Sequence, residues 1–268
     1  MKPSLKLIPA LLLCAAACVY TACKKNAVKP ALKTTTNIKS ISAQIALNLY
    51  ASITGKYGGN NITNGIKAPS SLTHRGPVIF DTNPLCGFFV DTVYNTTTPG
   101  VDTTKAFSGE FKFTYTCSAA SVDGFIVYDS LKNVANGAAF KDTLQVVQNY
   151  TSKALDQTYR LISMNGYLKS YLRNVVPGTP AQYHLLVSTY ILAGLHVDVS
   201  SGTADITVGT ATFNTTIGDL NATTPAGGTT TNYTGTITFL GGHMASLSIT
   251  VGGVTTMYSV NLLTGVIS

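Results

Sequence analysis

The chain has 268 residues, with 18 Lys and Arg, 11 Asp and Glu, and a formal net charge of +7. The excess charge lies near the amino end, because residues 40–268 carry eight Lys and three Arg against ten Asp and one Glu. Because residues 40–268 have no net charge, they lack the basic surface with which proteins bind nucleic-acid phosphates. The composition therefore excludes a nucleic-acid partner.

The first 23 residues have the layout of a secretory signal. Lys2 and Lys6 charge the amino end, and the apolar run 7–20 is shorter than the ~20 residues that a transmembrane helix needs. The run ends near Cys23, where charged sequence begins. An alternative cleavage point, ordinary or lipid-modified, precedes Cys18.

The segment Tyr20-Thr21-Ala22-Cys23 resembles the lipobox of bacterial lipoproteins, in which a small residue precedes the cysteine that receives lipid. The ending Ala-Cys-Lys-Lys-Asn resembles lipoproteins of the Bacteroidota in particular. The resemblance implies that residues 1–22 are removed and that Cys23 is lipidated and anchored to the outer membrane. The basic composition of the segment after it indicates that residues 23–39 comprise the lipidated cysteine and a flexible tether, whose lysines either lie on anionic headgroups or are simply solvated. The acidic run typical of surface-exported lipoproteins in this group is absent after the cysteine, which implies an anchor facing the periplasm.

Removal of the signal leaves 246 residues, enough for one large β domain or two small ones. Residues 42–54 predict a short amphipathic helix, with apolar residues at Ile45, Leu49 and Ile53. Ser40 or Ser42 is a suitable cap for its start, and Gly55 for its end.

Residues 107–118 alternate strictly between apolar and polar side chains, which predicts a strand with one buried face. A hairpin centred on residues 101–102 would pair it with residues 87–94. This register places Cys86 opposite Cys117 and Asp91 opposite Lys112, close enough for a disulfide and an ion pair. The sequence therefore predicts a Cys86–Cys117 bridge in preference to two buried free thiols.

Further strands are predicted along the middle of the chain. Residues 123–129 form one, and residues 140–150 suit either a helix or a strand, with the β-rich surroundings favouring a strand. The pair Asn165-Gly166 predicts a tight hairpin turn between two short strands. Residues 175–180 contain two prolines and mark a possible subdivision of the domain 40–268.

The longest predicted strand covers residues 183–199, with apolar side chains mainly at odd positions. A strand over residues 205–213 follows it, and a low-complexity loop covers residues 221–232. Gly241-Gly242 and Gly252-Gly253 predict hairpin turns between three closing strands.

These patterns predict an all-β fold, a mainly antiparallel meander built as a sandwich or as one long curved sheet, with one short N-terminal helix. The pattern is similar to that of uncharacterised β-rich lipoproteins of the Bacteroidota.

Few residues suggest chemistry. Glu110 is the only glutamate, and no G-x-S-x-G, H-E-x-x-H, Walker or C-x-x-C motif occurs. His184, His196 and Asp198 share even positions of one predicted strand, so His196 and Asp198 lie side by side as candidates for a metal pair or an oriented base. A metal would need a third ligand, for which His74 and His243 are the candidates.

We therefore expect a non-enzymatic binding or structural module with no cofactor, whose partner is a protein or a small apolar ligand. One alternative is a carrier that holds an apolar ligand or lipid in a sheet groove lined by aromatic residues such as Phe111 and Phe113. The other alternative is a hydrolase, metal-dependent or built on His196 and Asp198.

Overall fold

In a computed structural model of the chain, the structure describes residues 38–66, 86–176, 182–221 and 229–268. Helix α1 spans Ile38–Ile53 and a short 3-10 helix spans Ile62–Asn64. The strands are β1 (Phe89–Pro99), β2 (Thr103–Ser118), β3 (Ser121–Gly137), β4 (Phe140–Ala154), β5 (Leu161–Val176), β6 (Gln182–Asp198), β7 (Asp205–Asn221), β8 (Thr229–Gly241), β9 (Met244–Val251) and β10 (Val254–Asn261).

The ten strands form one sheet in chain order, and every neighbouring pair is antiparallel. The predicted all-β meander is confirmed, as a single sheet and not as a sandwich. The strands on either side of residues 177–181 pair as far as Val176 and Gln182. Within the described residues, no helix is long and apolar enough to cross a membrane.

The first hairpin has the predicted register. Asp91 pairs with Lys112, and their side chains form an ion pair of 3.5 Å. Cys86 and Cys117 are joined in a disulfide, with Cα atoms 5.8 Å apart. The bridge therefore fastens the edge strand β1 to β2 at the end of the hairpin opposite its loop.

Helix α1 begins at Ile38, four residues before the predicted start. Ser40 and Ser42 therefore lie inside the helix, where the Ser42 hydroxyl donates to the Ile38 carbonyl at 2.9 Å. The end is as predicted, because Gly55 has a φ of 71°. The N–H of Gly55 donates to the carbonyl of Ser52, and the N–H of Lys56 donates to the carbonyl of Ala51. These bonds satisfy carbonyl groups in the last turn of the helix.

One face of the sheet, here called the inner face, packs against α1. The helix contributes a fully buried stripe to the core: Ile41, Ile45, Leu49 and Ile53. The core extends over all the strands from β2 to β10. The 16-residue helix, ~24 Å long, is thus one part of a core that lies on the inner face of the sheet.

Buried polar groups fix where the helix lies on the sheet. The Asn48 amide donates to the Ser170 hydroxyl at 2.6 Å and to the Tyr190 hydroxyl at 3.1 Å. Tyr190 in turn donates to the Ile45 carbonyl at 2.9 Å. Since buried polar groups are costly when unpaired, this network sets the position of α1 across β5 and β6.

The predicted hairpin at Asn165-Gly166 is wrong, because β5 runs through both residues as one strand. Asn165 uses its side-chain oxygen to accept the backbone N–H of Gly194 on β6 at 2.7 Å. Gly166 allows close strand contact, since a Cβ there would lie 2.3 Å from the Asn149 carbonyl oxygen. Both residues therefore lie inside strand β5 and do not form a turn.

The sequence predicts that the odd-numbered side chains of β6 face the core. This prediction is wrong for the residues before Gly194. Leu186 and Tyr190 are buried, whereas Ile191 is 52% exposed, so even positions face inward there. The register then shifts around Gly194, whose φ is 58°, and Leu195 and Val197 become the buried residues. One extra residue in a bulge reverses which face every later side chain occupies.

The remaining strand predictions are confirmed. Residues 123–129 lie within β3, residues 140–150 lie within β4 as a strand, and residues 205–213 lie within β7. The turns at Gly241-Gly242 and Gly252-Gly253 separate the last three strands.

A cleft at one end of the inner face

At the end of the sheet that carries the β1–β2 loop, the inner face continues past the helix and forms a cleft of about 340 Å³. Phe107, Asn133 and Leu144 line one side, and residues 55–58, directly after α1, line the other. We call this space the cleft. The cleft lies beyond the carboxyl end of α1, because residues 55–58 follow the last helical residue, Ile53.

The floor of the cleft is a single cross-strand row. Phe107 on β2 pairs with Asn133 on β3, which pairs with Leu144 on β4. The same row continues through Leu172 on β5 and Leu186 on β6. Side chains alternate between the two faces of each strand, and these paired residues all lie on the inner face. Together they form an apolar floor that contains one amide, that of Asn133.

That amide is incompletely satisfied. The side-chain oxygen of Asn133 is shielded from solvent and accepts no hydrogen bond from the described residues. An unpaired buried oxygen costs about 1–3 kcal/mol, so a donor brought by a ligand would be favourable once the side chain turns toward it.

A row of polar residues lies next to the floor, two residues further along each strand on the same face. Asp142 pairs with Asn174, and Asn174 pairs with His184. The Asn174 amide donates to the Asp142 carboxylate. Burial raises the pKa of Asp142 above the usual range of an aspartate, although the amide donor opposes this effect.

Tyr57 forms part of the opposite wall. It is half-buried, and this burial raises the pKa of its phenol. Gly55 and Gly58 flank the segment with φ values of 71° and 92°, a region that favours glycine. The wall is thus a tight glycine turn that places an aromatic ring beside the apolar floor.

The segment that follows the wall is held firmly in the core. The backbone N–H of Asn60 donates to the Asp129 carboxylate at 2.5 Å, and the Asn60 amide donates to the Tyr150 hydroxyl at 2.5 Å. A Cβ on Gly59 would lie 3.3 Å from the same carboxylate and 3.4 Å from the Gln148 amide. The sequence analysis did not identify this cluster, although an aspartate at an inward strand position was a signal for it.

The volume of the cleft falls within the ~300–1,000 Å³ of ligand pockets. Its lining combines the apolar side chains of Phe107 and Leu144 with polar atoms of Asn133 and of residues 55–58. Such a site holds an apolar group on Phe107 and Leu144 while polar atoms at its rim set orientation.

His196 and Asp198 both lie on the outer face of β6, two residues apart in the chain. Hydrogen bonds from the side chain and from the backbone N–H of Ser200, the latter at 2.8 Å, lower the pKa of Asp198. His184 does not share their face, because the bulge at Gly194 lies between them. The predicted grouping of the three residues is therefore wrong for His184.

His243 lies in a different cluster, which the sequence analysis missed. Its Nδ1 is 3.4 Å from the Tyr50 hydroxyl and 3.7 Å from the Asp205 carboxylate. Asp205 also accepts the backbone N–H groups of Gly242 and His243, at 2.7 and 2.9 Å. The arrangement fastens the β8–β9 turn to the start of β7, and burial together with Asp205 raises the pKa of Tyr50.

The other sequence candidates divide in two. Phe111 and Phe113 are 0% and 1% exposed and belong to the core, so they do not line a groove. Cys23 and His74 lie outside the described residues. Among the residues that the structure describes, no group of three His, Cys, Asp or Glu side chains is arranged to hold a metal ion.

Comparisons with family models, with curated proteins and with solved structures find no match to this chain.

Proposed function

We propose that this chain is a cell-envelope lipoprotein, anchored to the outer membrane through Cys23 and facing the periplasm, whose body is a non-enzymatic binding module. The observation that supports a binding role is the cleft, where Phe107 and Leu144 form an apolar floor beside the amide of Asn133. The ligand expected there is small and largely apolar, with a hydrogen-bond donor.

The disulfide supports the proposed compartment. Bridges persist in oxidising environments such as the bacterial periplasm, and Cys86 and Cys117 are both exposed. A protein that matured in the cytosol would keep such accessible thiols reduced.

The test is binding of the apolar fluorophore N-phenyl-1-naphthylamine to the mature chain carrying Cys23→Ser, which needs no detergent. We expect Leu144→Glu to weaken binding by tenfold or more, because it places a charge on the apolar floor. The matched control is Ile191→Glu, an exposed apolar residue on the outer face.

Equal binding by the wild type, Leu144→Glu and Ile191→Glu would show that the cleft is not the site. Circular dichroism of each variant confirms that the comparison is made between folded proteins.

A carrier of apolar ligands is the second candidate, and the apolar floor is the observation that favours it. A carrier must release its ligand as well as bind it. Transfer of a fluorescent fatty acid between two populations of vesicles, accelerated by the wild type and not by Leu144→Glu, would distinguish a carrier from a static binding module.

A further inference from the structure

A carboxylate lies at the rim of the cleft. Asp142 precedes Leu144 by two residues on β4, and the two side chains lie on the same inner face. Residues two apart on a strand are separated by ~6.6 Å, so a small molecule that rests on Leu144 can reach Asp142 along the sheet. The edge of the apolar floor therefore offers a strong hydrogen-bond acceptor.

Asp142 has no cationic partner among the described residues. Its carboxylate accepts a hydrogen bond from the neutral Asn174 amide, and the ion pairs within the described ranges involve other carboxylates. Burial raises the pKa of Asp142, because desolvation disfavours the charged form of the carboxylate. A cation brought to this position would offset the cost of that desolvation.

A second acceptor lies on the neighbouring strand. Asn133 pairs with Leu144, and Ala135 pairs with Asp142, so Asn133 and Asp142 are diagonal neighbours on the inner face. Positions related in this way are roughly 7–8 Å apart. The side-chain oxygen of Asn133 accepts no hydrogen bond from the described residues. A donor placed between the two side chains would therefore have an acceptor on either side.

The group that best fits two acceptors is a cation with several N–H donors. A primary ammonium group has three donors and a positive charge, so it can donate to Asp142 and Asn133 together. A hydroxyl group brings one donor and no charge, and a carboxylate would place a like charge beside Asp142. The acceptors therefore favour an amine over an alcohol or an acid.

The lysines near the cleft do not reverse this preference. Lys56 in the wall and Lys105 on β2 are both exposed, whereas Asp142 and Asn133 are partly buried. Lys105 pairs with Ala135, so its backbone is two strand spacings, ~9.6 Å, from that of Asp142. Charges in water interact more weakly than partly shielded ones, so the acceptors determine which charge the cleft selects.

Two aromatic rings suit both ends of an apolar amine. Phe107 lies on the floor of the cleft and Tyr57 on the opposite wall. The face of an aromatic ring packs against apolar groups, and it also attracts a cation within about 6 Å of its centre. The rings therefore add contacts for the apolar group without opposing the positive charge.

We propose that the cleft binds a small apolar primary amine, with its ammonium group between Asp142 and Asn133 and its apolar group on the floor. This inference rests on the proposed binding role of the cleft and adds the charge of the ligand. An alcohol of the same length lacks that charge, and a carboxylate has the opposite one, so both bind less tightly.

Competition among three compounds of equal chain length tests the proposal. Octylamine, octanol and octanoate, which differ only in their head group, are used at pH 7 to displace N-phenyl-1-naphthylamine from the mature chain carrying Cys23→Ser. We expect octylamine to displace the fluorophore at a concentration about tenfold lower than octanol does, because hydrogen bonds between charged groups are the stronger ones. Octanoate should be the weakest competitor.

Two substitutions identify the residues that select the amine. Asp142→Asn keeps the shape of the side chain and an acceptor for Asn174 but removes the charge, so octylamine should lose its advantage over octanol. Asn133→Leu should reduce that advantage and leave displacement by octanol unchanged. The matched control is Asp91→Asn, which removes the same charge from the exposed outer face and should keep the full advantage.

Failure of the ligand class and failure of the site give different results. If Leu144→Glu weakens fluorophore binding but the three compounds compete equally, or if Asp142→Asn keeps the advantage of octylamine, the amine is overturned and the binding cleft stands. If the wild type and Leu144→Glu bind the fluorophore equally, the cleft is not the site and both proposals fall.

Discussion

The carboxylate of Asp129 on β3 accepts a hydrogen bond of 2.5 Å from the backbone N–H of Asn60, a residue 69 positions earlier in the chain. Asp129 is 1% exposed. This contact and the Asn60–Tyr150 hydrogen bond hold the segment after α1 against the sheet, next to the wall of the cleft.

We expect Asp129→Leu to destabilise the protein by about 2–4 kcal/mol, because it removes a buried hydrogen bond to a carboxylate and leaves the Asn60 N–H unpaired. Asp129→Asn should cost less, since an amide oxygen still accepts that N–H. Urea denaturation measures both. A loss for Asp129→Leu as small as that for the exposed Asp91→Asn would contradict this role.

The second prediction concerns the disulfide. It closes a loop with a sequence separation of 31, for which the chain-entropy relation gives about 3–4 kcal/mol. Replacing both Cys86 and Cys117 with serine should lower the free energy of unfolding by that order. Thiol titration of the unfolded, unreduced wild type should find neither cysteine free; two reactive thiols would refute the bridge.

The third prediction concerns alkaline pH. Burial raises the pKa of Tyr190 to about 12, from 10.0 for an exposed tyrosine. Because the unfolded phenol ionises first, the stability associated with its neutral form is fully present below pH 10 and is lost as the pH rises toward 12. The loss should approach about 3 kcal/mol, and burial of Tyr150 adds to it in the same direction.

Denaturation midpoints measured between pH 8 and pH 12 test this expectation. Tyr190→Phe should be less stable than the wild type at pH 8, because Asn48 and the Ile45 carbonyl lose a partner, yet its stability should fall less steeply above pH 10. A fall of the same steepness in both proteins would count against the buried phenol as the cause.

The fourth prediction concerns the anchor. If Cys23 receives lipid, then Cys23→Ser should abolish incorporation of a fatty-acid analogue and stop maturation by the lipoprotein signal peptidase. Persistent labelling of Cys23→Ser, lost only when Cys18 is also replaced, would move the modified residue to Cys18.

The first hairpin could be predicted from sequence because two independent pairs agreed on one register. Asp91 with Lys112 and Cys86 with Cys117 require the same alignment, and strict alternation in β2 fixed which face is buried. Such agreement between turn, charge and pattern is what specifies a strand register.

The errors elsewhere have one physical origin, namely that local sequence chemistry does not reveal its tertiary use. Asn165-Gly166 has the composition of a turn, but neighbouring strands use its amide and its missing side chain within the sheet. Gly194 gave no sign that it would form a bulge, and that bulge separates His184 from His196. The cleft could not be predicted, because its floor joins residues from three strands to a wall after the helix.

The position of α1 has a consequence for how the protein folds. All strand pairings join neighbours in the chain, so the sheet can grow progressively from its first hairpin with little loop-closure entropy at each step. Yet α1 precedes every strand and packs against β9 and β10, the last ones to be synthesised. The apolar stripe of the helix therefore has no complete site until β10 has been synthesised, and we expect the final burial of the core to be one late, cooperative event.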